Sequence, residues 1–134
     1  MKKWDIVPLK SLGMVSFGAD RTVVRNLLGD GYQELKKNIF SENTMDAYPT
    51  FHVYFTKDNQ LEAIEFFSEN KLLLAGKKLF PGKIKQALKL VSDLHADGDY
   101  YTSTSMSIGI TVSADDPNTI ESVLVGCAGY YEAD

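Results

Sequence analysis

The chain has 134 residues, of which 44% are hydrophobic and 24% charged, with a formal net charge of −4. This composition is typical of a soluble globular protein and excludes disordered, collagen-like and coiled-coil classes. We expect one domain over residues 1–134, located in the cytoplasm, because no signal-like or membrane-spanning stretch is apparent and the single Cys127 cannot form an intramolecular disulfide.

Basic and acidic residues are distributed unevenly along the chain. All fourteen lysines and arginines lie at or before Lys89, whereas residues 90–134 contain eight carboxylates and no basic residue. That segment has a charge of −8, and the rest of the chain, with fourteen basic against ten acidic residues, has +4. Such asymmetry favours a basic partner and disfavours nucleic acid, whose phosphates an acidic segment repels. Solvated acidic loops would produce the same asymmetry without a partner.

The N-terminal part of the chain predicts either a strand or an extended lead-in at residues 4–9, at a sheet edge or a strand end because Pro8 lacks an amide hydrogen, and then a short helix. Asp20 is a suitable N-cap, four apolar side chains follow at helical spacing, and Gly29 suits the left-handed residue that ends a helix. Residues 32–40 have a spacing that fits either a helix or an extended segment, so the pattern leaves their type open.

Residues 51–75 predict three short strands joined by tight polar turns. Residues 51–55 are aromatic and β-branched, residues 61–67 form a second apolar run, and residues 72–74 form a third. We interpret this stretch as a central β-meander. Because the first two strands carry bulky side chains on both faces, we expect helices on one side and a loop, second sheet or partner over part of the other.

A second helix is predicted over residues 83–95, with Ile84, Leu88 and Val91 in an apolar stripe that faces the sheet. Residues 100–112 alternate between apolar and small polar side chains, which predicts one long strand, and a final strand follows. The expected fold class is α+β: a mainly antiparallel sheet with a central β-meander, covered by two or three helices.

Motifs for catalysis or cofactor binding are missing from the sequence. The two histidines, His52 and His95, have no carboxylate or cysteine at the spacing of a zinc site. The glycines form neither a dinucleotide-binding fingerprint nor a phosphate-binding loop, and the aspartate pairs of the C-terminal third lack the EF-hand pattern. We therefore expect no metal, no cofactor and no enzymatic activity.

Carboxylates and tyrosines of the C-terminal third are the candidates for binding a partner, since tyrosine is enriched at binding hot spots. Packing of the tyrosines at the sheet margins is the alternative. If residues 100–112 form one strand of roughly 43 Å, the turns at residues 97–99 and 115–116 lie at opposite ends, and the first of these ends is favoured. The candidates are Asp93, Asp97, Asp99, Tyr100, Tyr101, Asp115, Asp116, Tyr130 and Tyr131.

Short structural motifs occur along most of the chain: Phe17-Gly18, Leu28-Gly29, Tyr54, Ile64-Glu65-Phe66, Gly76-x-x-Leu79-Phe80, Ser107-x-Gly109-Ile110 and Glu121-Ser122-Val123. Through them, from residue 9 to residue 131, the chain resembles the small α+β immunity proteins of bacterial contact-dependent inhibition and polymorphic toxin systems. The resemblance implies a protein that neutralises a cognate toxin domain, often a nuclease, and it transfers no functional residue by position. An acidic C-terminal third is compatible with a basic nuclease as the partner.

The alternative is a small-ligand-binding protein or enzyme that uses a pocket on the partly open sheet face. His52, Tyr54 or Cys127 would then supply polar groups. A toxin gene immediately upstream would favour immunity, and a metabolic operon would favour ligand binding. We expect no nucleic acid and no membrane as partners, and the sequence leaves the oligomeric state open.

Overall fold

The computed structural model describes residues 2–98 and 100–131. Strands account for 49% and helices for 12% of the structure. The protein is therefore largely β, and the predicted α+β fold is wrong. This part of the chain has two helices, α1 (Arg21–Leu28) and α2 (Ile84–Leu90). Its strands, in chain order, are β1 (Lys2–Val7), β2 (Ser11–Leu12), β3 (Val15–Ser16), β4 (Gln33–Lys36), β5 (Thr44–Ala47), β6 (Phe51–Phe55), β7 (Leu61–Phe66), β8 (Asn70–Leu74), β9 (Lys77–Phe80), β10 (His95–Asp97), β11 (Tyr100–Ser103), β12 (Ile108–Val112) and β13 (Ile120–Gly126).

The strands form two sheets. The larger sheet has eight strands in the order β10-β11-β12-β13-β7-β6-β5-β4, and every neighbouring pair is antiparallel. The smaller sheet has five strands in the order β3-β2-β1-β8-β9. Its β1 and β8 are parallel, which their wide separation along the chain allows, because a parallel pair needs a long connection.

The predicted meander is interrupted after its second strand. β6 and β7 pair with Val53 opposite Ile64, but the other neighbour of β7 is β13, and β8 joins the smaller sheet. The side chain of Asn70 accepts a hydrogen bond from Trp4 Nε1 at 3.1 Å and donates one to the Thr50 carbonyl at 2.8 Å. These long-range bonds hold the start of β8 beside β1, and local alternation does not reveal them.

The core lies between the two sheets. The Trp4 ring of the smaller sheet lies 5.1 Å from the Phe51 ring and 5.0 Å from the Phe66 ring of the larger sheet, edge-on in both cases. Phe66 is fully buried, and burial of such a side chain contributes about 1.5–3 kcal/mol to stability. The second sheet thus covers the face for which helices were predicted.

Helix α1 has the predicted boundaries. It begins after Asp20, which makes no side-chain capping hydrogen bond. It ends at Gly29, whose φ of 93° needs a glycine and whose amide donates to the Arg25 carbonyl at 2.8 Å. Only part of the predicted apolar face is covered, since Val24 is buried whereas Leu27 is 41% exposed.

Helix α2 is shorter than predicted and packs beside β9. Ile84, Ala87 and Val91 are buried, but Leu88 is 44% exposed. The assignment of Leu88 to the buried stripe was therefore wrong: the side that meets the core passes through Ala87 instead. Neither helix in the described part of the chain is long and apolar enough to cross a membrane.

The long strand predicted over residues 100–112 is in fact two strands. β11 and β12 form an antiparallel hairpin in which Tyr100 lies opposite Thr111 and Ser103 lies opposite Ile108. Residues 104–107 form the turn, which closes with Ser107 at a φ of 52°. The alternation of polar and apolar residues continues through the turn, so the sequence pattern conceals the reversal of the chain.

The segment at residues 32–40, whose type the sequence left open, contains β4, an edge strand of the larger sheet. All four residues of β4 are exposed. A turn with the exposed side chains of Ile39 and Phe40 follows it.

Candidate functional site

Two hairpins bring the acidic turns to one end of the larger sheet. Asp97 lies opposite Tyr100 across β10 and β11, and Tyr100 lies opposite Thr111 across β11 and β12. Because β12 ends at Val112, the turn at residues 113–118 begins beside Tyr100. The prediction that the two turns lie at opposite ends of one strand is therefore wrong. We name as the acidic end the surface formed by Asp97, Tyr100, Asp115, Asp116 and Glu121.

The carboxylates of the acidic end differ in their contacts. Asp97, Asp115 and Glu121 are exposed, and none of the ion pairs found within residues 2–98 and 100–131 involves them. Asp116 accepts hydrogen bonds from Thr119 Oγ1 at 2.6 Å and the Asn118 amide at 3.1 Å, which lower its pKa, and Lys83 Nζ lies 3.4 Å away. Asp99, a predicted binding residue, lies outside the described residues.

A recess of about 520 Å³ lies between the two turns. Tyr101, Val112 and Pro117 contribute apolar surface to its lining, and Glu121 contributes a carboxylate. Glu121 was not among the predicted binding residues, because its place in the last strand gives no local sign of a site. The recess can receive an aliphatic stem that ends in a positive charge.

Asp93 lies away from the acidic end. Its carboxylate accepts hydrogen bonds from Ser103 Oγ and, at 3.0 Å, from the Ser105 amide, at the turn between β11 and β12. These bonds lower the pKa of Asp93 to about 2. Asp93 lies in the segment between α2 and β10, and its hydrogen bonds hold this segment against the turn. Its position in the sequence did not indicate this structural role.

The predicted tyrosines occupy two places. Tyr100 is 44% exposed at the acidic end, and Tyr101 lines the recess. Tyr130 and Tyr131 instead lie on the outer face of the larger sheet, the face opposite the core, with their rings 5.2 Å apart. Burial raises the pKa of Tyr130 to about 12 and also raises that of Tyr131.

Two glycines make room for the terminal tyrosines. A Cβ on Gly109 of β12 would collide with the hydroxyl of Tyr131, and a Cβ on Gly126 of β13 would lie 2.7 Å from Cβ of Tyr130. Both glycines face outward, because their neighbours in each strand are buried in the core. The terminal tyrosines thus pack over the middle of the outer face, on which Tyr100 also lies.

A second recess, of about 440 Å³, lies between the outer face and the turn at residues 37–43. Tyr54 lines it and donates a hydrogen bond from its hydroxyl to Glu65 at 2.7 Å. Burial and this bond raise the pKa of Tyr54. Lys37 Nζ lies 4.5 Å from the centre of the Tyr54 ring, and Glu62 also lines the recess, with a pKa raised by burial. We name it the outer recess.

The other polar residues predicted for a ligand pocket lie elsewhere. His52 and Cys127 are not among the described residues that line the outer recess. The His52 ring contacts the Phe67 ring edge-on at 4.8 Å, and burial lowers the His52 pKa. Burial also raises the pKa of the Cys127 thiol, which keeps it protonated and a poor nucleophile at neutral pH.

Within residues 2–98 and 100–131, no group of three or more histidine, cysteine, aspartate or glutamate side chains could hold a metal ion. Comparisons of the chain with protein-family models, with curated proteins and with solved structures found no match. The geometry of the acidic end and of the outer recess is therefore the basis for assigning a function.

Proposed function

We propose that this protein is a non-catalytic immunity-type protein that acts in the cytoplasm and neutralises a cognate bacterial toxin domain of basic, nuclease-like character. The resemblance of its short motifs to those of immunity proteins supports this proposal, as does the charge of −8 over residues 90–134. Neutralisation of a toxin by binding needs a surface complementary to the toxin and no reactive groups.

The observation that carries the proposal is the position of the two acidic turns at one end of the sheet. Exposed carboxylates within about one Debye length, roughly 10 Å at 0.1 M salt, reinforce one another and produce a local negative potential. No lysine or arginine is among the described residues that line the recess between the turns. A basic domain is attracted to such a surface, and the attraction accelerates its association.

Tyr100 of the acidic end and Tyr101 of the adjacent recess supply the apolar contact that charge alone does not. Tyr100 projects from the end of β11 with 44% of its surface exposed, and Tyr101 lines the recess beside Glu121. Aromatic side chains with a polar tip are frequent binding hot spots because they bury a large area at a small entropic cost. Because successive side chains of a strand point to opposite faces, we assign Tyr101 the role of anchor for a lysine or arginine side chain of the toxin in the recess, and Tyr100 a separate contact on the outer face.

Capture of the toxin tests this proposal. The tagged protein is expected to retain the product of the gene immediately upstream, and a variant with a neutralised acidic end is expected to retain at least tenfold less. The acidic-end variant combines Asp97→Asn, Asp115→Asn and Glu121→Gln.

The matched control removes the same amount of charge from exposed sites elsewhere. It is expected to retain the toxin as well as the parent protein does, whereas equal retention by the acidic-end variant and the parent would contradict the proposal. The control combines Asp5→Asn, Asp58→Asn and Glu69→Gln, all at exposed positions.

The outer recess supports a second candidate function, the binding of a small ligand. Its volume of about 440 Å³ falls within the range of small-molecule sites. Tyr54 and Glu62 would supply hydrogen-bonding groups and Lys37 a positive charge. A ligand from a metabolite library that raises the melting temperature of the parent but not of Tyr54→Phe would support this function, and the absence of any such ligand would count against it.

A further inference from the structure

We propose that β4 is a self-pairing edge through which two copies of this chain form a weak dimer with a continuous sheet. An exposed edge strand presents unpaired backbone N–H and C=O groups that a second strand can satisfy. β4 is such an edge, and all four of its residues are exposed. The inference does not depend on the proposed function.

The charges of β4 are self-complementary in one antiparallel register. Glu34 and Lys36 project from the same face of the sheet, because their partners Asp46 and Thr44 share one face of β5. When Leu35 lies opposite Leu35 of a second copy, a two-fold axis perpendicular to the sheet keeps the faces matched. Glu34 then lies opposite Lys36 of the second copy, and Lys36 lies opposite its Glu34.

The same charges disfavour the neighbouring registers. A shift of two residues in one direction places Glu34 opposite Glu34, and a shift in the other places Lys36 opposite Lys36. Like charges directly opposite each other destabilise an antiparallel pair, whereas opposite charges stabilise it. The sequence of β4 therefore selects the register centred on Leu35.

Both charged side chains are available for this pairing. Glu34 accepts hydrogen bonds from Arg25 at 3.0 Å and Thr44 Oγ1 at 2.8 Å, which lower its pKa and hold it ionised, while half of its side chain, 51%, stays exposed. Lys36 is exposed, and no ion pair found within the described residues involves it. Glu34 is thus already held in position, and Lys36 can form an ion pair with Glu34 of the second copy.

Exposed apolar side chains next to β4 add to the interface. Leu35 is 38% exposed, and Ile39 and Phe40, in the turn after β4, are 82% and 86% exposed. The register centred on Leu35 places Ile39 level with Gly31 of the second copy, beside which there is open space. A strand of four residues is only about 13 Å long, so the interface belongs to the small, transient class.

β9, one of the two edge strands of the smaller sheet, lacks this complementarity. β9 also has four residues, and two of them, Lys77 and Lys78, are exposed lysines, but it contains no carboxylate. Self-pairing of β9 would bring lysines together without a counter-charge. Lys78 therefore provides a matched control for Lys36: both are exposed lysines on four-residue edge strands.

Sedimentation velocity over protein concentrations from about 1 µM to about 1 mM tests the proposal. The parent and Lys78→Glu are expected to change from monomer to dimer as concentration rises. Lys36→Glu and Glu34→Lys, each alone, are expected to weaken dimerisation at least tenfold. An equimolar mixture of these two variants is expected to associate again, because their β4 strands have opposite charges.

The mixture also distinguishes lost pairing from lost folding, since recovered association requires both variants to be folded. A parent that stays monomeric up to about 1 mM would overturn the proposal. So would undiminished dimerisation of Lys36→Glu, or a mixture that fails to associate.

Cross-linking tests the register. In a Cys127→Ser background, Leu35→Cys is expected to form an intermolecular disulfide on mild oxidation, because directly opposite residues have Cα atoms about 4.5–5.5 Å apart. Gln33→Cys, displaced from the two-fold axis, is expected to form little. Equal cross-linking at both positions would contradict a register centred on Leu35.

Discussion

Tyr100 lies opposite Thr111 across the hairpin of β11 and β12. This pairing folds back a segment that would otherwise extend as one strand, and it places the turn after Val112 next to Asp97. The carboxylates of Asp97, Asp115 and Asp116, which a straight strand would separate, therefore lie at one end of the sheet. The proposed binding of a basic partner follows from this single reversal of the chain.

The burial of α2 predicts unequal costs for two truncations of similar size. Ile84→Ala removes a buried side chain and is expected to cost about 2–5 kcal/mol of unfolding free energy. Leu88→Ala, at a position that is 44% exposed, is expected to cost less than about 1 kcal/mol. Urea unfolding of both variants measures the difference, and a larger loss for Leu88→Ala would show that the helix is rotated.

The turn between β11 and β12 predicts a pH-dependent contribution from Asp93. Its folded-state pKa of about 2 is below the usual value of about 3.9. The stabilisation of the folded state by the ionised Asp93 carboxylate is therefore present above pH 4 and is lost as the pH falls toward 2. Asp93→Ala is expected to cost about 1–3 kcal/mol at pH 7, because it removes hydrogen bonds to a charged group.

The pH series for this prediction consists of urea unfolding at pH 7, 4 and 2.5. The difference in unfolding free energy between the parent and Asp93→Ala should decrease as the pH falls over this series. Asp115→Ala, which removes an exposed carboxylate, should stay within about 0.5 kcal/mol of the parent throughout. A gap that stays constant with pH would show that Asp93 does not act through its charged form.

The ion pairs beneath α1 predict a large cost for removing Asp46. Arg21 and Arg25 each donate to its carboxylate, at distances from 2.7 to 2.8 Å, and Asp46 is only 1% exposed. Burial alone would raise the pKa of Asp46, but the arginines outweigh it and lower the pKa. Asp46→Ala leaves Arg21 buried without its counter-charge and is expected to cost about 3–5 kcal/mol.

Glu34→Gln is the matched control for Asp46→Ala, because Glu34 pairs with the same Arg25 but its side chain is 51% exposed. Its cost is expected to stay below about 1 kcal/mol. Thermal or urea unfolding gives both values. Equal losses for the two variants would argue against a buried role for the Asp46 pair.

The packing of the terminal tyrosines predicts a rescue by a second substitution. Gly109→Ala places a methyl group against the Tyr131 hydroxyl and is expected to cost about 1–3 kcal/mol. Tyr131→Ala removes the obstacle, so Gly109→Ala should cost less in that background. Gly31→Ala, beside which there is open space, is the control and should be nearly neutral. Equal costs in both backgrounds would show that Tyr131 does not lie over Gly109.

Local patterns in the sequence predicted the positions of helices and strands more successfully than they predicted which strands pair. Residues 51–55 and 61–67 correspond to β6 and β7, and Gly29 ends α1 as expected. The departure of β8 to the smaller sheet was not predicted, because it depends on Asn70 and Trp4, which lie 66 residues apart. Long-range hydrogen bonds of this kind leave no periodic signal.

For the candidate site, too, the sequence indicated residues but not how the fold groups them. The uneven charge distribution drew attention to the carboxylates and tyrosines of the C-terminal third, but their grouping depends on the turn at residues 104–107. A serine-rich segment that alternates with apolar residues has the same period as a strand. The role of Asp93 was also hidden, since its partners Ser103 and Ser105 lie ten and twelve residues away.

The salt dependence of toxin association tests the central claim most directly. Stopped-flow association of the captured toxin with the parent protein is expected to slow at least about tenfold between roughly 50 and 500 mM salt, because steering by exposed charges is screened. The variant Asp97→Asn/Asp115→Asn/Glu121→Gln should associate more slowly at low salt and with a weaker salt dependence. The same rates and the same salt dependence for parent and variant would contradict binding through the acidic end.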